Sequence, residues 1–253
     1  VEIHVVDAFA DRPFAGNPAG VVLLTEPADA AWMQSVAAEM KHAETAFVEM
    51  GGDGPLPLRW FTPTAEVDLC GHATLATTHV IGSAAFSTRS GVLTCVVDDD
   101  GWIRMDFPAD PPAPIELPEP LRAGLPGAKA VAEGVSDVLV ELSSAAEVRE
   151  FVPDFAAIAE VPGRGVIVTA PGDRDGLDIV SRCFYPALGI PEDPVTGSAH
   201  CTLAAWWAPR LGRSDLVGEQ ASPRGGLVRM TLRDDRVHLS GQAVTVLRGH
   251  LTV

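Results

Sequence analysis

The pentapeptide His72-Ala-Thr-Leu-Ala76 returns as His200-Cys-Thr-Leu-Ala204, 128 residues further along the chain (72 to 200). Each copy sits in a run with scarcely a charge: Ala73, Leu75 and Ala76 in the first, Leu203 to Trp207 in the second. A helix that is apolar nearly all the way round is a buried one. Downstream, Ser87-Thr-Arg-Ser-Gly91-Val-Leu is echoed by Ser222-Pro-Arg-Gly-Gly226-Leu-Val, an offset of 135 (87 to 222). Alternating apolar residues and an Asp-Asp turn follow both, at Asp99–Asp100 and Asp234–Asp235. The repeat predicts two similar lobes, with a cleft between them as a preferred place for a ligand.

Working outward from the first helix, strand patterns lie at Ile3–Phe9 and Gly20–Leu24, separated by the turn-rich ADRPFAGNPA. An Asp29 cap opens a helix whose Trp32, Met33, Val36, Ala37 and Met40 recur at spacings of three and four. Ala43–Met50 and Leu58–Phe61 read as strands; VLTCVVD and WIRMDF read as a hairpin turning at Asp99–Gly101. Short strands around one buried helix predict an α+β fold of the α/β-roll type, a curled, mainly antiparallel sheet about a central helix in each lobe. Amphipathic crossover helices are scarce, so a doubly wound parallel sheet fits less well. Seven prolines in the nineteen residues Pro108–Pro126 mark a connector or surface crossover, because proline removes donors and fixes φ. The expected lobes are 1–112, joined by a C-terminal strand at about 244–253, and 113–243.

Composition narrows the function. The 253 residues carry 34 Asp and Glu against 18 Lys and Arg, a net charge of −16. Such a chain lacks the basic stripe that nucleic acid needs, and anionic lipid repels it. No run approaches the roughly 20 apolar residues of a bilayer span, and the acidic first strand is no secretory leader. Four scattered cysteines without a C-x-x-C pair suggest a reduced, cytoplasmic protein acting on something small.

Several kinds of site are missing: there is no G-x-G-x-x-G after a strand, no phosphate-binding G-x-x-x-x-G-K-[ST] and no G-x-S-x-G nucleophile elbow. His72 and His79 lie two helical turns apart, about 10.5 Å, too far for one ion, so no metal is expected. Two glycine-bearing polar segments do stand immediately before the buried helices, Asp68-Leu-Cys-Gly-His72 and Glu192-Asp-Pro-Val-Thr-Gly-Ser198. A helix start presents unpaired N–H groups and the positive end of a dipole, and Gly71 and Gly197 let the backbone come close to an anion. The plainer alternative makes Asp193, Thr196 and Ser198 helix caps only. Strand alternation puts Glu44, Ala46 and Val48 on one face and Ala43, Thr45 and Phe47 on the other. A carboxylate on a mostly apolar face suits acid/base work if desolvated, and is otherwise a strand-end Glu reaching solvent. His72 reads equally as structural. Cys70 and Cys201 read as small buried residues, though a thiol just before a helix opening can have a lowered pKa.

AGNPAGVVL (Ala15–Leu23), AETAFV (Ala43–Val48), RWFTPTAEVDLCGHATLA (Arg59–Ala76), EDPVTGSAH (Glu192–His200) and the RGG at Arg224 closely resemble the PhzF-like family of phenazine-biosynthesis isomerases. The resemblance runs from residue 3 to about 249 and implies the diaminopimelate epimerase-like fold of two pseudo-symmetric lobes. It also implies a cofactor-free, metal-free isomerase, commonly a homodimer, acting on a small carboxylate-bearing substrate. By the same resemblance Glu44 is the catalytic acid/base, while His72 and Asp193 orient the substrate and assist proton movement. Gly71, Thr196, Gly197 and Ser198 would hold it. Related epimerases use one cysteine before each helix opening; here Cys70 stands at the first, and its counterpart is read as Pro194, which carries no proton. The expected reaction is a proton shift, either a double-bond migration or an epimerisation. The alternatives are an epimerase pairing Cys70 with Glu44, and a binding protein that retains only the cleft.

Overall fold

A computed structural model describes residues 1–253, which divide into two compact units: Val1–Asp106 with Ser240–Val253, and Phe107–Leu239.

In the first unit the chain runs β1 (Glu2–Ala8), β2 (Asn17–Leu24), α1 (Ala30–Met40), β3 (Glu44–Glu49), β4 (Leu56–Phe61), β5 (Glu66–Val67), α2 (Gly71–Ile81), β6 (Ala84–Thr88), β7 (Gly91–Val97) and β8 (Ile103–Pro108). The second unit contributes β9 (Ala113–Pro114), β10 (Ala130–Glu133), β11 (Asp137–Glu141), α3 (Ala145–Glu150), α4 (Phe155–Ala159), β12 (Gly165–Pro171), β13 (Ile179–Tyr185), β14 (Ile190–Asp193), α5 (Gly197–Leu211), β15 (Asp215–Gln220), β16 (Gly226–Arg233) and β17 (Arg236–Gly241). The chain re-enters the first unit at Ser240, so the end of β17 belongs there together with β18 (Ala243–His250).

The first unit is one mixed sheet in the order β18-β1-β2-β3-β4-β6-β7-β8, antiparallel except at β2–β3 and β4–β6. It curls around α2, which touches β1, β2, β3, β7 and β18. The other face takes α1, where Met33, Val36 and Ala37 pack on Val22, Phe47 and Phe61. Period-two alternation therefore divides β3: Phe47 goes under α1, and Glu44 goes to the side that α2 occupies. Every residue of α2 from His72 to Thr78 is buried. Its threonines tolerate this because their hydroxyls donate back along the helix, Thr74 to Cys70 O (2.6 Å), Thr77 to Ala73 O (2.8 Å) and Thr78 to Thr74 O (2.9 Å).

One close approach makes a test of this packing. A Cβ on Gly241 would stand 2.3 Å from Phe9 Cδ1 and 2.8 Å from Leu75 Cδ1, both in fully buried side chains. Overpacking of a filled core costs about 1–3 kcal/mol. Gly241→Ala should therefore lower the melting temperature by roughly 2–4 °C for each kcal/mol lost, and an unchanged melting curve would contradict the packing of α2 against this strand end.

The second unit pairs its strands as β9-β10-β11-β12-β13, with β13 flanked by β14 and β15, and β16 beside β15; β11–β12 and β13–β15 are parallel. Val138, Val140, Val166, Val168, Val180 and Phe184 face α3 and α4. The opposite face carries α5, whose Trp206 and Trp207 donate their indole N–H to Glu141 (3.0 Å) and Thr169 (3.1 Å). The proline-rich segment forms only β9 and a single 3₁₀ turn at Glu119–Leu121, as its missing donors require. It is no free connector, however, since Leu121 and Leu125 are buried in the core of this unit. No helix is long and apolar enough to cross a membrane.

Candidate active site

The first helix opening and the start of β3 bring three functional side chains together. Cys70 is the N-cap of α2, His72 the second residue of the helix, and Glu44 the first residue of β3. Cys70 Sγ lies 3.5 Å from His72 Nδ1, and His72 Nε2 lies 3.4 Å from Glu44 Oε2, an approach without hydrogen-bond geometry. Cys70 and His72 are buried, while the Glu44 side chain keeps 16% of its surface exposed. Desolvation, helped by the nearby His42, pushes the His72 imidazole down to about 3. It is therefore neutral at ordinary pH, with one nitrogen toward the thiol and the other toward the carboxylate. The thiol, imidazole and carboxylate form one compact cluster on two rigid elements, which is a geometry for holding and moving protons.

The second opening is built differently. Thr196 is the N-cap of α5, but its hydroxyl donates to Asp193 Oδ2 at 2.5 Å instead of capping the helix. Gln220, wholly buried, accepts from Thr196 N (2.8 Å) and donates to Asp193 O (2.7 Å), which fixes the bend between β14 and α5. Arg182 grips the neighbouring Glu192 through two bonds of 2.8 and 3.0 Å. Ser198 is exposed and accepts from Arg164 Nη2 at 2.9 Å. Arg164 in turn binds Asp137 bidentately at 2.9 and 2.5 Å and stacks on Tyr185 at 4.7 Å. Burial pulls the Arg164 guanidinium down, but the Asp137 pair outweighs it and the net shift is upward; burial also raises the Tyr185 phenol.

The structure changes the register of the internal repeat. Sequence matching pairs His72 with His200, yet His72 is the second residue of its helix and His200 the fourth of its own. By helix position Cys70 corresponds to Thr196 and Gly71 to Gly197, a shift of 126 residues (70 to 196). Two serine hooks agree: Ser90 Oγ donates to Asp68 O (2.7 Å) and Ser222 Oγ to Pro194 O (2.8 Å), each two residues before its N-cap. Pro194 is thus the partner of Asp68, and the counterpart of Cys70 is Thr196, which is equally not a thiol.

By this register His200 stands where α2 has Thr74, and both side chains donate to the carbonyl of their N-cap. In His200, Nδ1 donates to Thr196 O at 2.7 Å, Nε2 is buried without a partner, and desolvation lowers the imidazole to about 4. An unfolded histidine binds its proton near 6.5, so the unfolded state gains protons first as the pH falls. Stability should be full above that value and fall between about pH 6.5 and pH 4, with His72 acting in the same direction. The His200 share is on the order of 3 kcal/mol. Urea midpoints that decline over this window in the wild type and less steeply in His200→Gln would bear this out; parallel slopes would refute it.

Sequence reasoning passed over Gln220 and the Arg164–Asp137 pair. Gln220 did leave a signal, since it continues the buried face of Leu216 and Gly218 along β15, where a polar residue needs partners. Arg164 and Asp137 lie on separate elements and left none.

The profile of the phenazine biosynthesis-like protein family, PhzC-PhzF, matches residues 6–249. This chain belongs to the PhzC-PhzF family. It is 44% identical to an uncharacterized isomerase of Halalkalibacterium halodurans, over 98% of this chain and 97% of that one. The crystal structure of a PhzF-family phenazine biosynthesis protein from Enterococcus faecalis superposes with a TM-score of 0.94 at 38% identity, covering 100% of this chain and 99% of that one. A predicted epimerase from Pseudomonas aeruginosa shares the fold at a TM-score of 0.75 and 22% identity, over 100% of this chain and 99% of that one. As a PhzC-PhzF family member the chain is an isomerase with the curled two-unit α+β fold that the repeat predicted.

Proposed function

We propose that the protein moves a proton on a small carboxylic acid, with Glu44 as the acid/base. The 3.4 Å approach of His72 Nε2 to Glu44 Oε2 carries this reading. A buried imidazole that stays neutral sets no full positive charge beside the carboxylate, which leaves Glu44 able to take a proton from carbon. Partial burial keeps bulk water from quenching the intermediate. Glu44 accepts the proton from one carbon and returns it to another, shifting a double bond. In this reading His72 holds Glu44 and the substrate's polar group, and Gly71 offers its N–H to the carboxylate. Asp193, held by Thr196, orients the substrate, while Gly197 and Ser198 help hold it.

The test is a panel of small unsaturated and amino carboxylic acids incubated with the protein in heavy water and followed by NMR. A double-bond shift in any member, lost in Glu44→Gln, supports the reading. Conversion that survives Glu44→Gln overturns it.

A second reading follows from the 3.5 Å contact between Cys70 Sγ and His72 Nδ1. It places a second proton carrier on the same imidazole and would allow Cys70 and Glu44 to invert a stereocentre as an asymmetric pair. Cys70→Ser separates the two readings: a double-bond shift by Glu44 alone continues at near wild-type rate, whereas an epimerase loses about 10²-fold or more.

A further inference from the structure

We propose that Glu44, Cys70 and His72 form a binding site for a thiophilic divalent cation of the zinc class. Their ligand atoms, one from each residue, all lie within 4.8 Å of one another. Zinc bonds of about 2.3 Å to sulfur and 2.0–2.1 Å to nitrogen place tetrahedral ligands about 3.5 Å apart. The separation of Cys70 Sγ from His72 Nδ1 is 3.5 Å, so this edge of the polyhedron already exists. Closing the carboxylate edges requires Glu44 to swing from His72 Nε2, which it approaches at 3.4 Å, toward the Nδ1 side where the thiol lies; its side chain is the most exposed of the three and the way in from solvent. The other two ligands are held in place because Cys70 and His72 are the cap and second residue of a helix buried on every side.

The chemistry of the donors selects the ion. A thiolate and an imidazole favour zinc, cobalt and cadmium, whereas magnesium and calcium demand oxygen ligands. Binding exchanges the thiol proton for the metal–sulfur bond and releases that proton to solvent. One dication with one thiolate and one carboxylate leaves no net charge in the buried site. Three protein ligands leave a fourth position for solvent or a small anion. The protein's net charge of −16 further attracts cations. Glu44 cannot coordinate a metal and accept a proton from carbon together, so the cation inhibits the isomerase; that inhibition rests on the proposed function, while the binding does not.

Titrating cobalt(II) and then cadmium(II) into the reduced, metal-free protein tests the site without a substrate. One equivalent should give a thiolate-to-metal charge-transfer band and the intense visible absorption of four-coordinate cobalt. Cys70→Ser should abolish the charge-transfer band, Glu44→Gln should weaken affinity about ten-fold or more, and excess magnesium should displace nothing. Cys201→Ser should change nothing, because burial pushes that thiol up to about 12. Cadmium NMR on the wild type reads the ligand set directly if a variant fails to fold, and a shift for one sulfur among nitrogen and oxygen donors is expected. No band at one equivalent, or a band that survives in folded Cys70→Ser, overturns the site. Tight binding without inhibition upholds the site and overturns the role of Glu44 in proton transfer.

Discussion

Glu44→Gln should lower turnover by roughly 10²–10⁴-fold, the usual contribution of a positioned acid/base, while the melting temperature stays at the wild-type value. Glutamine preserves the shape of the side chain and its approach to His72 but cannot take up a proton. The residue opens a strand with 16% of its side chain exposed, so the amide keeps access to water and leaves no buried charge uncompensated. The measurement is the initial rate on the acid that the NMR panel returns, beside a thermal melt of both proteins. A drop confined to kcat places the loss in the chemical step, whereas a rise in KM alone would reduce Glu44 to a binding group. Turnover near wild type would remove it from the mechanism.

The largest stability effect belongs to the second unit. Arg164→Met should cost about 3–5 kcal/mol, because it leaves Asp137 buried without the guanidinium that neutralises it. Asp137 is 2% exposed, and Arg164 at 30% is the wetter partner, so the lower end of that range is the expectation. Tyr185 loses its stacked cation as well. Urea unfolding reads the loss. Asp137→Leu combined with Arg164→Met should recover a good part of it, since no buried charge then remains. A loss below about 1 kcal/mol in the single variant would mean that water already screens the pair.

Both long buried helices were legible in the sequence because their composition departs from that of a surface helix along their whole length. Helix α1 was legible from its Asp29 cap and its stripe, of which Met33, Val36 and Ala37 are buried. Helices α3 and α4 were not. At six and five residues they are too short to show a period, and their evidence is confined to the caps, where Ser144 accepts from Glu147 N and Asp154 from Ala156 N and Ala157 N. Matching identical letters misplaced the repeat by two residues, because in a helix buried nearly all round Ala, Thr and Leu suit every face and do not pin the register. Of the site, the side of β3 on which Glu44 lies followed from simple alternation. The contact between His72 and Cys70 did not, since it depends on how the cap bends rather than on spacing.

Helix α2 completes its contacts only when β18 pairs with β1, joining Glu2 to His250 and Ala8 to Ala243 across the antiparallel register. A ribosome has by then released the whole of Phe107–Leu239. The usual order, in which the N-terminal part matures first, is reversed: the portion carrying Glu44 must wait, unfinished, until translation delivers the final strand. Stalling before β18 emerges would therefore yield a chain whose later-made part is folded and whose earlier-made part is not.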